Sequence, residues 1–133
     1  MSDWTTVAGE FRNAARELRE RGYYRSALGR CYYAAFALSS QALRTLGLSM
    51  PQGWDGPRHA PLISGELYSS HLSRVWSAPE TGRAIYLIAT LYRLRRLADY
   101  SPFVEIEKRD IDLGLASLIE LEGLLARIKG ASG

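Results

Sequence analysis

Residues 24–46, YRSALGRCYYAAFALSSQALRTL, decide the fold of this chain. Apolar side chains recur in this stretch at steps of three and four residues, the spacing of one face of an α-helix. The residues on that face are Tyr24, Leu28, Cys31, Ala35, Leu38, Ala42 and Leu46. The stretch contains no proline, and Gly47 follows where a left-handed residue commonly ends a helix. We therefore predict a central helix against which the other helices pack.

A second amphipathic pattern precedes the central helix, from Asp3 to Arg21. Its apolar face consists of Trp4, Val7, Phe11, Ala14 and Leu18. Asp3 is a candidate N-cap, and Gly22 stands where a C-terminal left-handed residue is usual. Because only one or two residues link this helix to the central one, we predict an antiparallel hairpin.

A proline-rich stretch follows Gly47 and predicts a long loop over about residues 48–60. Three of the five prolines of the chain fall within residues 48–61, LSMPQGWDGPRHAP. Beyond it we predict a shorter helix from His59 to Ser73, with Pro61 in its first turn. The side chains expected to face the core are Leu62, Ile63, Leu67 and Leu72.

Two further helices complete the prediction. Ser77 and Glu80 have the S-x-x-E spacing of a capping box, and Pro102 should end the helix they start near Tyr100. Its inward side chains are Ala84, Leu87, Ile88, Leu91, Leu94 and Ala98. A last helix is predicted over residues 109–129, ended by Gly130. Its inward side chains are Ile111, Leu115, Leu118, Leu121 or Glu122, Leu125 and Ile128. The predicted fold is an all-α, antiparallel four-helix bundle with an additional short helix.

The composition is that of one soluble globular domain over residues 1–133, with 47% hydrophobic and 23% charged residues. The formal net charge of +3 is too small to require a polyanionic partner. Arginine supplies 15 of the 17 basic residues, which suits phosphate recognition but also follows from genome base composition. Cys31 is the only cysteine and is predicted to be a core residue. A single unpaired cysteine is typical of a protein in a reducing compartment. We expect a cytoplasmic protein with no export signal and no membrane anchor.

The sequence shows no motif that is typical of a metal or cofactor site. His59 and His71 do not have the spacing of a zinc site, and no H-E-x-x-H is present. The glycines are scattered, so no phosphate-binding loop is predicted. We expect no metal and no cofactor.

Arg95 and Asp99 are the most informative polar pair. A helix places Arg95 at the edge of the buried face, since it follows Leu91 by four residues. Asp99 lies one turn further on and can pair with it. One interpretation is a structural ion pair that closes the helix end. The other is a guanidinium held by its neighbour so that its free N–H groups face an anion.

Arg30 and Tyr33 lie one turn apart on the central helix, close to Tyr24 and Tyr32. This face could form a cationic and phenolic site. Alternatively, the tyrosines are amphipathic core residues with their hydroxyls at the boundary.

These motifs resemble those of the HEPN-domain family. Residues 30–36, RCYYAAF, are similar to the R-x-Y-Y-A-x-F signature of small prokaryotic members, and residues 95–100, RRLADY, to their R-x-x-A-D-Y signature. Residues 59–63, HAPLI, resemble the opening of their third helix, which a histidine begins. The resemblance implies a helical bundle, usually dimeric, often encoded beside a nucleotidyltransferase as a toxin–antitoxin pair. Active members are metal-independent ribonucleases.

The chain departs from the R-x(4–6)-H motif of the active members. With four to six intervening residues, the histidine would lie at Tyr100, Ser101 or Pro102 after Arg95, and at Ser101, Pro102 or Phe103 after Arg96. A tyrosine hydroxyl, with a pKa near 10, is a weak base at neutral pH. The resemblance therefore makes Arg95 and Tyr100 the candidate catalytic residues and leaves the presence of catalysis open. The candidate binding residues are Arg30, Tyr33, His59, Arg96 and Asp99.

Three functions fit these observations. The first is an RNA- or nucleotide-binding homodimer, with toxin-type ribonuclease activity in the catalytic case. The second is a non-catalytic helical partner of a nucleotidyltransferase or another subunit. The missing histidine and the apolar helix surface favour this function. The third is a small-ligand-binding bundle that uses the tyrosine-rich face.

Overall fold

The structure is a computed structural model that describes residues 4–48 and 59–128, apart from the side chain of Ala60. These residues form helices and no strand. The helices are α1 (Trp4–Glu20), α2 (Tyr24–Thr45), α3 (His59–Ile63), α4 (Glu66–His71), α5 (Ala78–Tyr100) and α6 (Lys108–Leu125). The all-α bundle of four long helices is therefore confirmed. The predicted long loop lies mostly outside the described residues, as do the predicted caps Asp3 and Gly130.

Helix α2 is the centre of the bundle, as the sequence predicts. It packs against α1, α5 and α6. The alanines in its middle, Ala34, Ala35 and Ala37, are fully buried and let these helices approach closely. Cys31 is also fully buried, and burial raises the pKa of its thiol to about 12, which confirms it as a core residue.

Glycines end α1 and α2 as predicted. Gly22 has a φ of +80° and Gly47 a φ of +88°, the left-handed conformation that favours glycine. In the turn between α1 and α2, the Tyr23 N–H donates to the Leu18 carbonyl at 2.9 Å, and the chain reverses its direction into α2. The predicted α1–α2 hairpin is thereby built.

The predicted helix over residues 59–73 is wrong in its continuity, because the structure has two short helices there. Gly65 separates α3 from α4 with a φ of +86°. A Cβ on Gly65 would lie 2.8 Å from the Ile85 side chain, so a side chain at this position would also clash with α5. The bundle consequently carries two short helices where one was expected. Leu62 and Leu72 are buried as predicted.

The boundaries of α5 are confirmed, and those of α6 are corrected. The Ser77 hydroxyl accepts from the Glu80 N–H, and the Glu80 carboxylate accepts from the Ser77 N–H at 2.9 Å. Helix α6 ends at Leu125, four residues before the predicted Lys129. The N–H groups of Arg127 and Ile128 donate to carbonyls only three residues back, which tightens the chain into a turn. No helix among the described residues is both long and apolar enough to span a membrane.

Candidate functional site

Helix α3 brings His59 against the middle of α2. The fully buried Tyr32 places its hydroxyl oxygen 2.6 Å from His59 Nδ1. The Phe36 ring, one turn further along α2, stacks on the imidazole with 4.3 Å between centroids and 17° between planes. One hydrogen bond and one ring face thus fix the position and orientation of His59. Within the described residues, Nε2 of this ring has no hydrogen-bond partner.

Helix α5 brings Arg95 to the other side of the same tyrosine. The Arg95 Cζ atom lies 5.4 Å from the Tyr32 ring centroid and 5.0 Å from the Tyr33 ring centroid. Both distances are in the range of a cation–π contact. The Arg95 side chain is only 18% exposed. Tyr32 therefore joins a guanidinium and an imidazole that come from different helices.

Asp99 attracts Arg95 without satisfying its hydrogen-bond donors. The Arg95 Nε atom lies 3.3 Å from Asp99 Oδ2, so the predicted ion pair is present. Its geometry is not that of a hydrogen bond, and Nε is buried without an acceptor among the described residues. A buried donor without a partner costs about 1–3 kcal/mol. The arrangement is therefore that of a guanidinium held by ring faces and a nearby charge, with donors left for an external acceptor.

Burial, together with the charge of Arg95, determines the protonation of His59 and Tyr32. Burial lowers the pKa of His59, and the positive charge of Arg95 lowers it further. Burial raises the pKa of Tyr32 and outweighs the opposite effect of Arg95. At neutral pH the site therefore contains a neutral imidazole, a protonated phenol and one positive guanidinium.

Arg96 and Tyr100 lie outside this buried cluster. The Arg96 Cζ atom is 5.0 Å from the Tyr100 ring centroid and 5.9 Å from that of Tyr92. Tyr100 is 62% exposed, and Arg96 is exposed as well. The structure gives Tyr100 a contact with Arg96 and none with Arg95 or His59.

Arg30 is linked to the buried cluster through the Phe11 ring. Its guanidinium lies 5.8 Å from the Phe11 ring centroid, and Phe11 packs on Tyr33 at 5.7 Å. Of the predicted site residues, the structure groups Tyr33, His59, Arg95 and Asp99 around Tyr32. Arg30 lies beyond Phe11, and Arg96 and Tyr100 lie on the outer surface of α5.

The sequence interpretation placed Tyr32 on the tyrosine-rich face of the central helix but did not include Tyr32 or Phe36 among the candidate site residues. Both belong to the R-x-Y-Y-A-x-F stretch, and their spacing of four residues places them on one face of α2. That spacing is the signal that could have paired them with a third ring. No cluster of three metal-binding side chains occurs among the described residues.

The comparison with protein families identifies the chain. The family model for the HEPN domain matches residues 1–121, so the chain belongs to the HEPN family. This membership indicates, in general terms, a function of the ribonuclease or nucleotide-binding type. Neither the comparison with curated proteins nor that with solved structures gives a match.

Proposed function

We propose that this HEPN protein binds RNA through its phosphates at Arg95 and cleaves it with His59 as the proton-transfer group. The observation that carries the proposal is the convergence of Arg95 and His59 on Tyr32 from two separate helices. The histidine missing from the positions after Arg95 in sequence is replaced in space by one that opens α3.

Arg95 is suited to bind a phosphate because its charge is not spent inside the chain. Its Nε atom is buried, but its Nη groups are not and have no hydrogen bond among the described residues, and Asp99 is 39% exposed and can be displaced or shared when an anion arrives. A guanidinium binds phosphate through two parallel N–H donors, and the ring faces of Tyr32 and Tyr33 keep it oriented. Partial burial strengthens such a contact relative to one in water.

His59 is suited to accept a proton because burial and Arg95 hold its pKa below the ordinary value near 6.5, so the imidazole is neutral at neutral pH, and its Nε2 has no hydrogen bond among the described residues. In the proposed reaction Nε2 accepts the proton of a ribose 2′-hydroxyl. The 2′-oxygen then bonds to the adjacent phosphorus as the bond to the 5′-oxygen breaks. The proton held by His59 is returned through water to the departing 5′-oxygen, so the products are a 2′,3′-cyclic phosphate and a free 5′-hydroxyl. The phenol oxygen of Tyr32 accepts from Nδ1–H in that tautomer, so the contact holds the ring in the reactive orientation.

The proposal includes the partners implied by the resemblance. A homodimer would bring two weakly charged monomers together and concentrate positive charge at the shared RNA surface. A neighbouring nucleotidyltransferase would make the chain the toxin of a toxin–antitoxin pair. Co-purification with that neighbour, and the molecular mass of the chain alone by light scattering, test these two points.

A second candidate function is a non-catalytic partner of a nucleotidyltransferase-type subunit. The observation that favours it is the exposed apolar surface after α5, where Phe103 is fully exposed and Val104 is 40% exposed. A protein interface with anchors of this kind would bury them. Under this alternative, the purified chain would show no RNA cleavage, and the partner would protect Phe103 from solvent.

The experiment compares cleavage and binding of a structured RNA in EDTA for wild type, Arg95→Ala and Arg83→Ala. Arg83 is the matched control, since it also lies on α5 with its guanidinium over a tyrosine ring, 5.2 Å from the Tyr86 centroid. Loss of a charge-assisted contact of about 1.5–3 kcal/mol should weaken RNA binding by Arg95→Ala about ten- to hundredfold. Arg83→Ala should bind and cleave as wild type does. Equal affinities and equal background cleavage for all three proteins would reject the proposal.

A further inference from the structure

Aromatic and cationic side chains alternate along the outer face of α5. Tyr92, Arg96 and Tyr100 follow each other at steps of four residues, so they lie on one face of the helix. The Arg96 guanidinium lies between the two rings, at 5.9 Å and 5.0 Å from their centroids, and its Nη1 donates to the Tyr92 hydroxyl at 3.4 Å. We call Tyr92, Arg96 and Tyr100 the α5 ladder.

The ladder is continuous with the phosphate site. Tyr92 is half-buried and contacts Tyr32 with 5.4 Å between ring centroids. Tyr32 also contacts His59 and Arg95. A ligand whose phosphate is bound at Arg95 would therefore have the ladder beside it, leading outward along α5.

The turn after the ladder is held in place by α2. The Arg25 guanidinium donates to the carbonyls of Ala98 at 2.7 Å and Ser101 at 3.3 Å, and also to that of Val104. These bonds satisfy the carbonyls at the end of α5 and fix the backbone of residues 101–104. Phe103 projects from this fixed turn and is fully exposed.

We propose that the α5 ladder and Phe103 form a stacking subsite for unpaired nucleobases, so that the ligand is a single-stranded RNA segment. This inference rests on the proposed function, because it presupposes a phosphate bound at Arg95. Exposed aromatic rings and guanidinium planes bind base faces, and every unpaired base offers such a face. In a duplex the faces are hidden within the stack, so duplex RNA could use the phosphate site alone.

The charge of the surface favours a nucleic acid over a protein as occupant. Residues 93–96, RLRR, place three arginines on the last turns of α5, and Asp99 is the only acidic residue of that half of the helix. A protein partner that made apolar contacts here would have to desolvate Arg96. An RNA strand would offset this desolvation cost, because its phosphates are negatively charged.

Fluorescence anisotropy with three labelled probes of equal length tests the inference. The probes are a single-stranded RNA, an abasic ribose–phosphate strand with the same number of phosphates, and an RNA duplex. Wild type should bind the single strand about tenfold or more tightly than the abasic strand. It should also prefer the single strand to the duplex.

Three variants at two exposed tyrosines separate the effect of the ladder from that of α5 in general. Tyr100→Ala should lose most of the preference for bases and still bind the abasic strand as wild type does, while Tyr100→Trp should keep the preference. Tyr86→Ala is the matched control, because Tyr86 is a 55% exposed tyrosine on α5 that also contacts an arginine. It should retain the full preference.

The outcomes that overturn the inference are distinct from one another. Equal wild-type binding of the single-stranded and abasic probes would overturn the stacking subsite and leave the phosphate site standing. Absence of binding to every probe would overturn both proposals. A Tyr100→Ala protein that keeps the base preference but loses self-association in light scattering would overturn the inference and assign the ladder to a protein contact.

Discussion

Each end of α5 carries an arginine that contacts a tyrosine ring, but the two arginines differ in their hydrogen bonds. Near its start, Arg83 contacts the Tyr86 ring and donates from Nε and Nη2 to both oxygens of Glu120, at 2.5 Å and 2.8 Å. Near its end, Arg95 contacts two rings and lies beside Asp99, but its buried Nε has no hydrogen bond among the described residues. The comparison shows that Arg83, whose donors are filled, ties two helices together, while Arg95, held by ring faces beside Asp99, has unfilled donors that our proposal assigns to a phosphate.

The difference follows from the neighbouring helix at each end. At the start of α5, α6 supplies a carboxylate directly opposite Arg83, and the guanidinium in turn lowers the pKa of Glu120. At the end of α5, α2 and α3 supply the aromatic rings of Tyr32, Tyr33 and His59, while the carboxylate beside Arg95 comes from Asp99 on α5 itself. The site is therefore the place where the neighbouring helices supply aromatic rings, and not a carboxylate, to the guanidinium.

The largest effect that would sharpen this comparison is on catalysis. His59→Asn keeps an N–H group that can donate to the Tyr32 hydroxyl oxygen and removes the titrating group, so RNA cleavage should fall about 10²- to 10⁴-fold. RNA affinity should change much less, because Arg95 remains. The matched control is His71→Asn, which alters the other histidine at the end of α4. Equal losses in the two variants in a single-turnover assay would show that His59 has no special role.

The next largest effect concerns the orientation of His59. Tyr32→Phe keeps the ring contact with Arg95 and removes the hydroxyl beside Nδ1. We expect cleavage to fall about tenfold, the equivalent of one hydrogen bond of about 1.4 kcal/mol, with RNA affinity unchanged. A shifted pH–rate profile would accompany the loss, because the imidazole loses its partner. An unaltered rate and profile would separate Tyr32 from the reaction.

The sequence predicts most of the bundle and only part of this site. Local sequence signals set boundaries of α1, α2 and α5. These signals are Gly22, Gly47 and the Ser77–Glu80 capping box. The break between α3 and α4 was not predicted, since it depends on the contact of Gly65 with Ile85, twenty residues away in sequence. Local patterns do not reveal such tertiary constraints.

The same distinction applies to the site residues. The Arg95–Asp99 pair is local, so helical spacing alone predicted it. The contact of Tyr32 with His59 spans 27 residues and the long loop between α2 and α3. Neither periodicity nor composition specifies where α3 packs on α2, and only the resemblance to HEPN proteins pointed to His59.

A smaller effect should appear in the pH dependence of stability. The pKa of His59 is lowered in the folded protein, so the unfolded chain binds more protons at this residue just below the ordinary pKa near 6.5. The free energy of unfolding contributed by neutral His59 is therefore fully present above about pH 6.5 and falls as the pH drops toward the folded pKa. Denaturant titrations should show a shallower acid loss for His59→Asn than for wild type. Identical slopes would mean that burial does not perturb His59.

The smallest effect distinguishes the two arginine pairs directly. A double-mutant cycle on Arg83 and Glu120 should give a favourable coupling to folding, because both oxygens of Glu120 accept from the guanidinium. The cycle on Arg95 and Asp99 should give only a few tenths of a kcal/mol or less, because its geometry lacks a hydrogen bond and arginine precedes aspartate. A larger coupling at Arg95 would show that its charge is spent inside the bundle.

The most direct test of the central claim is to observe the arginine Nε–H signals by NMR while a single-stranded RNA is added. The signals of Arg95 and Arg83 are assigned by their loss in Arg95→Lys and Arg83→Lys. We predict that the Arg95 Nε–H signal shifts in proportion to the bound fraction, because the phosphate binds the unburied Nη groups of the same guanidinium, while the Arg83 signal stays with Glu120. An Arg95 signal that does not move at saturating RNA would contradict the account.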